Sequence, residues 1–115
     1  MTHTTKIEKG FYSKQWSAET YIKLNAPDRE LKVTTMKSSR GILYTSVQAL
    51  EIKNGSESFM LFQDYNKNVK QYPEVTRVTD KNIGEVHNKS LAIIETFVNE
   101  ANEFYAKEVA EQEVN

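Results

Sequence analysis

Cysteine is absent from this chain of 115 residues, proline occurs twice and glycine four times. Without cysteine, disulfides, thiolate zinc sites and cysteine nucleophiles are excluded. The glycines (Gly10, Gly41, Gly55, Gly84) lie too far apart to build a phosphate-cradling loop. Long apolar runs are missing too. The longest, Leu91-Ala92-Ile93-Ile94, falls far short of the roughly 20 residues that span a bilayer, so no membrane segment is expected. The start, Met1-Thr2-His3-Thr4-Thr5-Lys6, holds no apolar stretch; the expectation is a protein without a secretory signal, placed in the cytoplasm.

What the chain does have is a division of charge. Residues 1–78 carry twelve Lys/Arg against eight Asp/Glu, and residues 79–115 carry three Lys against eight acids. The net charge of −1 therefore joins a basic portion to an acidic one. Such asymmetry raises the expectation of a polyanionic partner for the basic part. At this length one core and one domain are expected, and 38% apolar with 27% charged residues is ordinary for a globular chain. Abundant Thr, Asn, Lys and Ser fit an AT-rich bacterial or viral genome.

The basic portion is patterned for strands. Residues 1–9 are polar and read as a flexible N-terminus ahead of a single domain over 10–107. From Trp16 to Asn25, Thr20, Ile22 and Leu24 share one face and Tyr21 and Lys23 the other. Ala26-Pro27-Asp28-Arg29 is a turn. Leu31, Val33 and Thr35 then alternate with Lys32, Thr34 and Met36, and Lys37-Ser38-Ser39-Arg40-Gly41 closes a second hairpin. A long β-rich run, Ile42 to Ile52, ends at Asn54-Gly55, a type I′ hairpin signal. A two-residue loop there sets Leu50 opposite Phe59 and Val47 opposite Phe62, with a return strand over 58–63. Residues 64–73 read as a polar loop, and Glu74–Val78 as a short fifth strand. Thr79-Asp80 starts a helix whose apolar row is Ile83, Val86, Ser90, Ile94, Phe97, Ala101 and Phe104. Leu91, Ile93, Val98 and Tyr105 flank that row, and 108–115 reads as an acidic tail. The class is α+β: a four- to five-stranded antiparallel meander followed by one long C-terminal amphipathic helix packed on it.

Chemistry-bearing patterns are few. His3 and His87 stand in no metal-ligand spacing, Glu100 and Glu103 lie on the solvated side of the helix, and Ser38-Ser39 forms no nucleophile elbow. Neither catalysis, a metal nor a cofactor is expected. The remaining candidate is an aromatic and basic sheet surface. Stacking would come from Trp16, Tyr21, Tyr44 and Tyr65, and phosphate contacts from Lys23, Lys32, Lys37, Arg40 and Lys67. Single strands are held in this way, with bases on flat side chains and cations along the phosphates. The plainer reading is that Tyr and Lys on an open sheet face are simply solvated.

The order of consecutive hairpins and a long C-terminal helix, with Lys, Arg and aromatics on the strands from about Trp16 to Tyr105, resembles the Whirly/Pur group of single-stranded nucleic-acid-binding folds. The resemblance implies a β-β-β-β-α unit that dimerises and holds a strand on its curved sheet. The basic–Gly–basic–small strand run of the Whirly type is not present; Lys37-Ser38-Ser39-Arg40-Gly41 is its nearest counterpart, and no family binding residue transfers. The expectation is a non-enzymatic single-stranded DNA- or RNA-binding protein, forming a homodimer through the surplus apolar helix positions. The alternative is a small protein–protein interaction module: an inhibitor, an adaptor or a virus-encoded host-modifying factor with a protein partner.

Overall fold

The structure, a computed structural model, describes residues 4–12, 14–53, 56–59 and 65–114. Among them run β1 (Thr5–Lys9), β2 (Trp16–Lys23), β3 (Arg29–Lys37), β4 (Leu43–Lys53), β5 (Ser56–Phe59), β6 (Asn66–Tyr72), α1 (Asp80–Leu91) and α2 (Glu95–Val114). Every strand pairing is antiparallel, in the order β1-β2-β3-β4-β5 with β6 also on β4. β5 and β6 share one edge of β4. β5 opposes Leu50–Lys53 and β6 opposes Leu43–Gln48, so six strands fill five positions of an open sheet. The helices follow and cover one face. The class is α+β.

Alternation places the core. Ala18, Thr20, Ile22 and Leu24, then Leu31, Val33 and Thr35, then Leu43, Thr45, Val47 and Ala49 are all buried on the helix side. The register agrees, with Thr20 opposite Val33 and Val33 opposite Val47. At one end Ala18, Leu43 and Tyr72 pack with Ile83 and Val86 of α1. At the other, Ile22, Leu24, Leu31, Val33, Val47, Ala49 and Tyr65 pack with Ile94, Ala101 and Tyr105. Asn25 N–H donates to Asn102 Oδ1 (2.8 Å), and Arg29 lies 5.4 Å from the Tyr105 ring centre, tying α2 to the β2–β3 turn.

Four details differ from the sequence reading. Residues 5–9, read as part of a flexible end, form β1, an exposed strand whose polar pattern hides its pairing. The polar stretch read as a loop contains β6, while 74–78 forms no strand. An edge strand with both sides largely in water has no need of alternation, and only Val69 and Tyr72 in β6 are apolar. The helix is two helices. At Ala92–Ile94 the hydrogen bonds tighten to i−3, Ile93 N to Ser90 O and Ile94 N to Leu91 O, with neither Pro nor Gly at the break. Finally, α2 continues as helix to Val114, through the stretch read as a tail.

The predicted pair Leu50 and Phe59 are partners. The Asn54-Gly55 turn and Phe62 lie outside the described residues. Gly41 takes φ +83° in the second hairpin, a conformation that disfavours any side chain. The helix start is where it was expected. Thr79 Oγ1 accepts from Asn82 N–H at 3.1 Å, while Thr79 N–H donates to Asn82 Oδ1 at 2.6 Å. The Asn82 side-chain amide also donates to Arg77 O. Thr79→Ala is expected to cost about 1 kcal/mol, read from urea unfolding at neutral pH. Among the described residues no helix is long and apolar enough to cross a membrane.

Candidate functional site

The nine predicted contact residues do not gather on one surface. Tyr21, Lys23, Lys32 and Tyr44 share the face away from the helices, as strand parity requires. On that face Glu19 answers the positive charge. Lys32 Nζ is 3.5 Å from Glu19 Oε1, the Tyr21 hydroxyl donates to Glu19 Oε2 at 3.2 Å, and Lys32 sits 5.9 Å from the Tyr21 ring centre. This is a satisfied cluster, with its cation and ring already engaged.

The other residues lie elsewhere. Trp16 is half-buried on the helix side, against the Ala18, Leu43 and Ile83 cluster. Tyr65, expected in a loop bordering the open face, is buried under α2, where its hydroxyl donates to Glu100 Oε2 at 2.9 Å. Burial first, then the bond to Glu100 and its charge, raise the Tyr65 phenol well above its ordinary value and keep it a neutral donor. Lys67 lines a shallow cleft beside it with Glu100, Glu103, Phe104 and Lys107. Lys37, on the helix side, donates from Nζ to Thr76 O at 3.2 Å, and Arg40 stands exposed in the β3–β4 turn.

Topology gathers a different set. In an antiparallel meander the ends of β1, β3 and β6 meet the starts of β2 and β4 at one end of the sheet. The β1–β2 turn, the β3–β4 turn and the β6–α1 segment therefore lie along the same end of the sheet, from one edge to the other. They bring Lys9, Lys14, Lys37, Arg40, Lys70, Arg77 and Lys81, seven cations, against three carboxylates, Glu8, Glu74 and Asp80. None of the three ion pairs among the described residues involves these cations. The N-terminus of α1 adds its partial positive charge. Two rings stand out at the same end. Phe11 is 78% and Tyr12 92% exposed, edge to face at 5.0 Å, with Lys14 Nζ 5.4 Å from the Phe11 ring centre. Phe11 and Tyr12 were missed because they lie outside any alternating run; two adjacent rings in a turn beside Gly10 were the available signal.

A second construction lies inside the molecule. Between the two apolar clusters runs a belt of buried hydroxyls with His87 at its middle. Thr5 Oγ1 bonds Thr20 Oγ1 (2.8 Å), which bonds His87 Nε2 (2.7 Å). His87 Nδ1 bonds Thr35 Oγ1 (2.7 Å), and the chain continues to Thr45 Oγ1 (2.7 Å), Ser90 Oγ (2.7 Å) and the Tyr72 hydroxyl (2.6 Å). Five strands and α1 contribute nothing to it but neutral groups, β1 through β4 and β6. Burial accordingly lowers the His87 pKa to about 4, so the ring is neutral at pH 7, donating from one nitrogen and accepting at the other.

No protein-family model, curated protein or solved structure matches this chain.

Proposed function

We propose that this chain is a non-enzymatic binding protein for single-stranded nucleic acid, and that the strand is held at the basic, ring-bearing end of the sheet. The observation that carries the reading is the placement of seven cations and the exposed pair Phe11 and Tyr12 at the same end of the sheet, with Lys14 against the Phe11 ring. Exposed rings offer stacking without sequence demands, at about 1–3 kcal/mol per base, and cations on neighbouring turns follow the phosphates. The open face contributes less than its composition promised, since Glu19 holds both Lys32 and Tyr21.

The test is fluorescence anisotropy with a labelled 30-mer single strand. Binding is expected at roughly 50 mM salt and should weaken steeply toward 200 mM as counterions are released. Arg40→Glu with Arg77→Glu, both exposed, should weaken binding by about tenfold and flatten the salt slope. Phe11→Ala with Tyr12→Ala should weaken it while leaving the slope intact. No binding at the lower salt, or binding indifferent to salt, overturns the reading.

A further inference from the structure

We propose that two copies of this chain join edge to edge through β1, antiparallel about Ile7, to make one continuous sheet. The proposal stands apart from the question of what the basic end binds. β1 is the terminal strand, hydrogen-bonded to β2 on one side, and among the described residues nothing pairs with its outer edge. Such an edge offers a row of N–H and C=O groups as a template for another strand.

The identity of that strand follows from the sequence of β1, Thr5-Lys6-Ile7-Glu8-Lys9. Within one chain Lys6 Nζ lies 3.0 Å from Glu8 Oε1, both on the exposed face of the strand. Antiparallel pairing centred on Ile7 sets Lys6 opposite the partner's Glu8, and Glu8 opposite the partner's Lys6, extending that pair into a four-charge row of alternating sign. Thr5 meets the partner's Lys9, and Ile7 meets its own copy on the two-fold axis. Moving the register two residues either way sets Lys6 against Lys6 or Glu8 against Glu8, and like charges directly opposite are unfavourable. The strand is therefore complementary to itself in one register.

Two further observations agree. Ile7 is 41% exposed, an aliphatic side chain at an edge, and a second Ile7 would cover it. It lies against α1 at Gly84, where an added Cβ would come within 3.2 Å of Ile7 Cδ1, so the helix itself seats the edge strand. The far edge is built differently. Along the part of it formed by β6, the strand carries a register irregularity at Thr45/Ser46 and bears Lys67 and Lys70 with no acid, features that discourage edge pairing, while β5 offers only four residues. The helix surface offers little in competition. Of Leu91, Ile93, Val98 and Tyr105, Tyr105 is core, Leu91 and Val98 are half-buried against it, and Ile93 alone is exposed.

Light scattering after gel filtration at high micromolar concentration tests this. The native chain should elute at twice its 13.3 kDa mass. Lys6→Glu sets acid against acid at both charged positions of the pair, and Glu8→Lys sets base against base. Each variant alone should self-associate about tenfold more weakly. Mixing the two should restore a dimer containing one copy of each, because every charged pair is then opposite in sign. Far-UV circular dichroism establishes that both variants are folded, and the mixture is itself a rescue. A native chain that stays monomeric overturns the proposal. So does a dimer whose stability neither variant changes, since its interface then lies elsewhere.

Discussion

Lowering the pH from 7 to 4 is expected to cost this protein about 3 kcal/mol of stability through His87 alone. The ring has no exposed surface, and burial lowers its pKa from 6.5 to about 4 in the folded chain. Unfolding restores the ordinary value. Between pH 6.5 and 4 the unfolded chain therefore binds the additional proton, and stability rises with pH across that window. The contribution is complete above pH 6.5 and is lost as the pH falls through 6.5 toward 4. Urea unfolding at pH 7, 5.5 and 4 reads the slope. Carboxylates also titrate at the acid end, so the informative quantity is the difference from His87→Gln, which should lose stability at pH 7 but show a shallower decline on acidification. Equal slopes in the two proteins would assign the acid sensitivity to other groups.

Hydrogen bonding does not oppose the proton; charge does. Thr20 and Thr35 can each accept from a doubly protonated ring and pass their own protons on, to Thr5 and to Thr45. What the site lacks is any carboxylate in the hydrogen-bonded chain, so a buried imidazolium would stand without a counter-charge. The belt also bears on specificity of packing. Apolar clusters on either side tolerate some sliding, whereas hydroxyls from β1, β2, β3, β4 and β6 meet α1 in one register without leaving a member unsatisfied.

Legibility in the sequence followed burial. β2, β3 and β4 each press one face against the helices, so their alternation is explicit and their hairpins could be placed from residues alone. Thr79 and Asn82 likewise announce the helix start locally. β1 and β6 were illegible because edge strands in water carry little apolar pattern. The break at Ala92–Ile94 leaves no mark because its residues are as apolar as those of the helix around it. Of the basic end only Lys37 and Arg40 were legible, for another reason. Lys9, Lys37 and Arg77 are far apart in sequence and reach the same end of the sheet only once the meander forms. The His87 belt is of the same kind: inward Thr20, Thr35 and Thr45 were visible as positions, but their common partner required the register.

Tyr72→Ala is expected to be the most damaging single change considered, at about 4 kcal/mol. The ring is 2% exposed and packs with Ala18, Leu43, Ile83 and Val86 where α1 crosses the sheet. Its removal opens a cavity at the seam between β6 and α1, and a strand at the sheet edge has few other apolar anchors. A domain of this size has roughly 5–15 kcal/mol in total, so the variant should approach the limit of folding, with a melting temperature lower by about 15 °C. Tyr72→Phe separates ring from hydroxyl. It keeps the packing and removes the last member of the belt, while Ser90 Oγ retains Thr45 as a partner at 2.7 Å. Its expected cost is therefore only about 1 kcal/mol. Paired thermal melts decide the matter. If Tyr72→Phe loses as much as Tyr72→Ala, the hydroxyl holds β6 to α1 and the ring is secondary; if Tyr72→Ala loses under a third of the expected amount, α1 is anchored without β6.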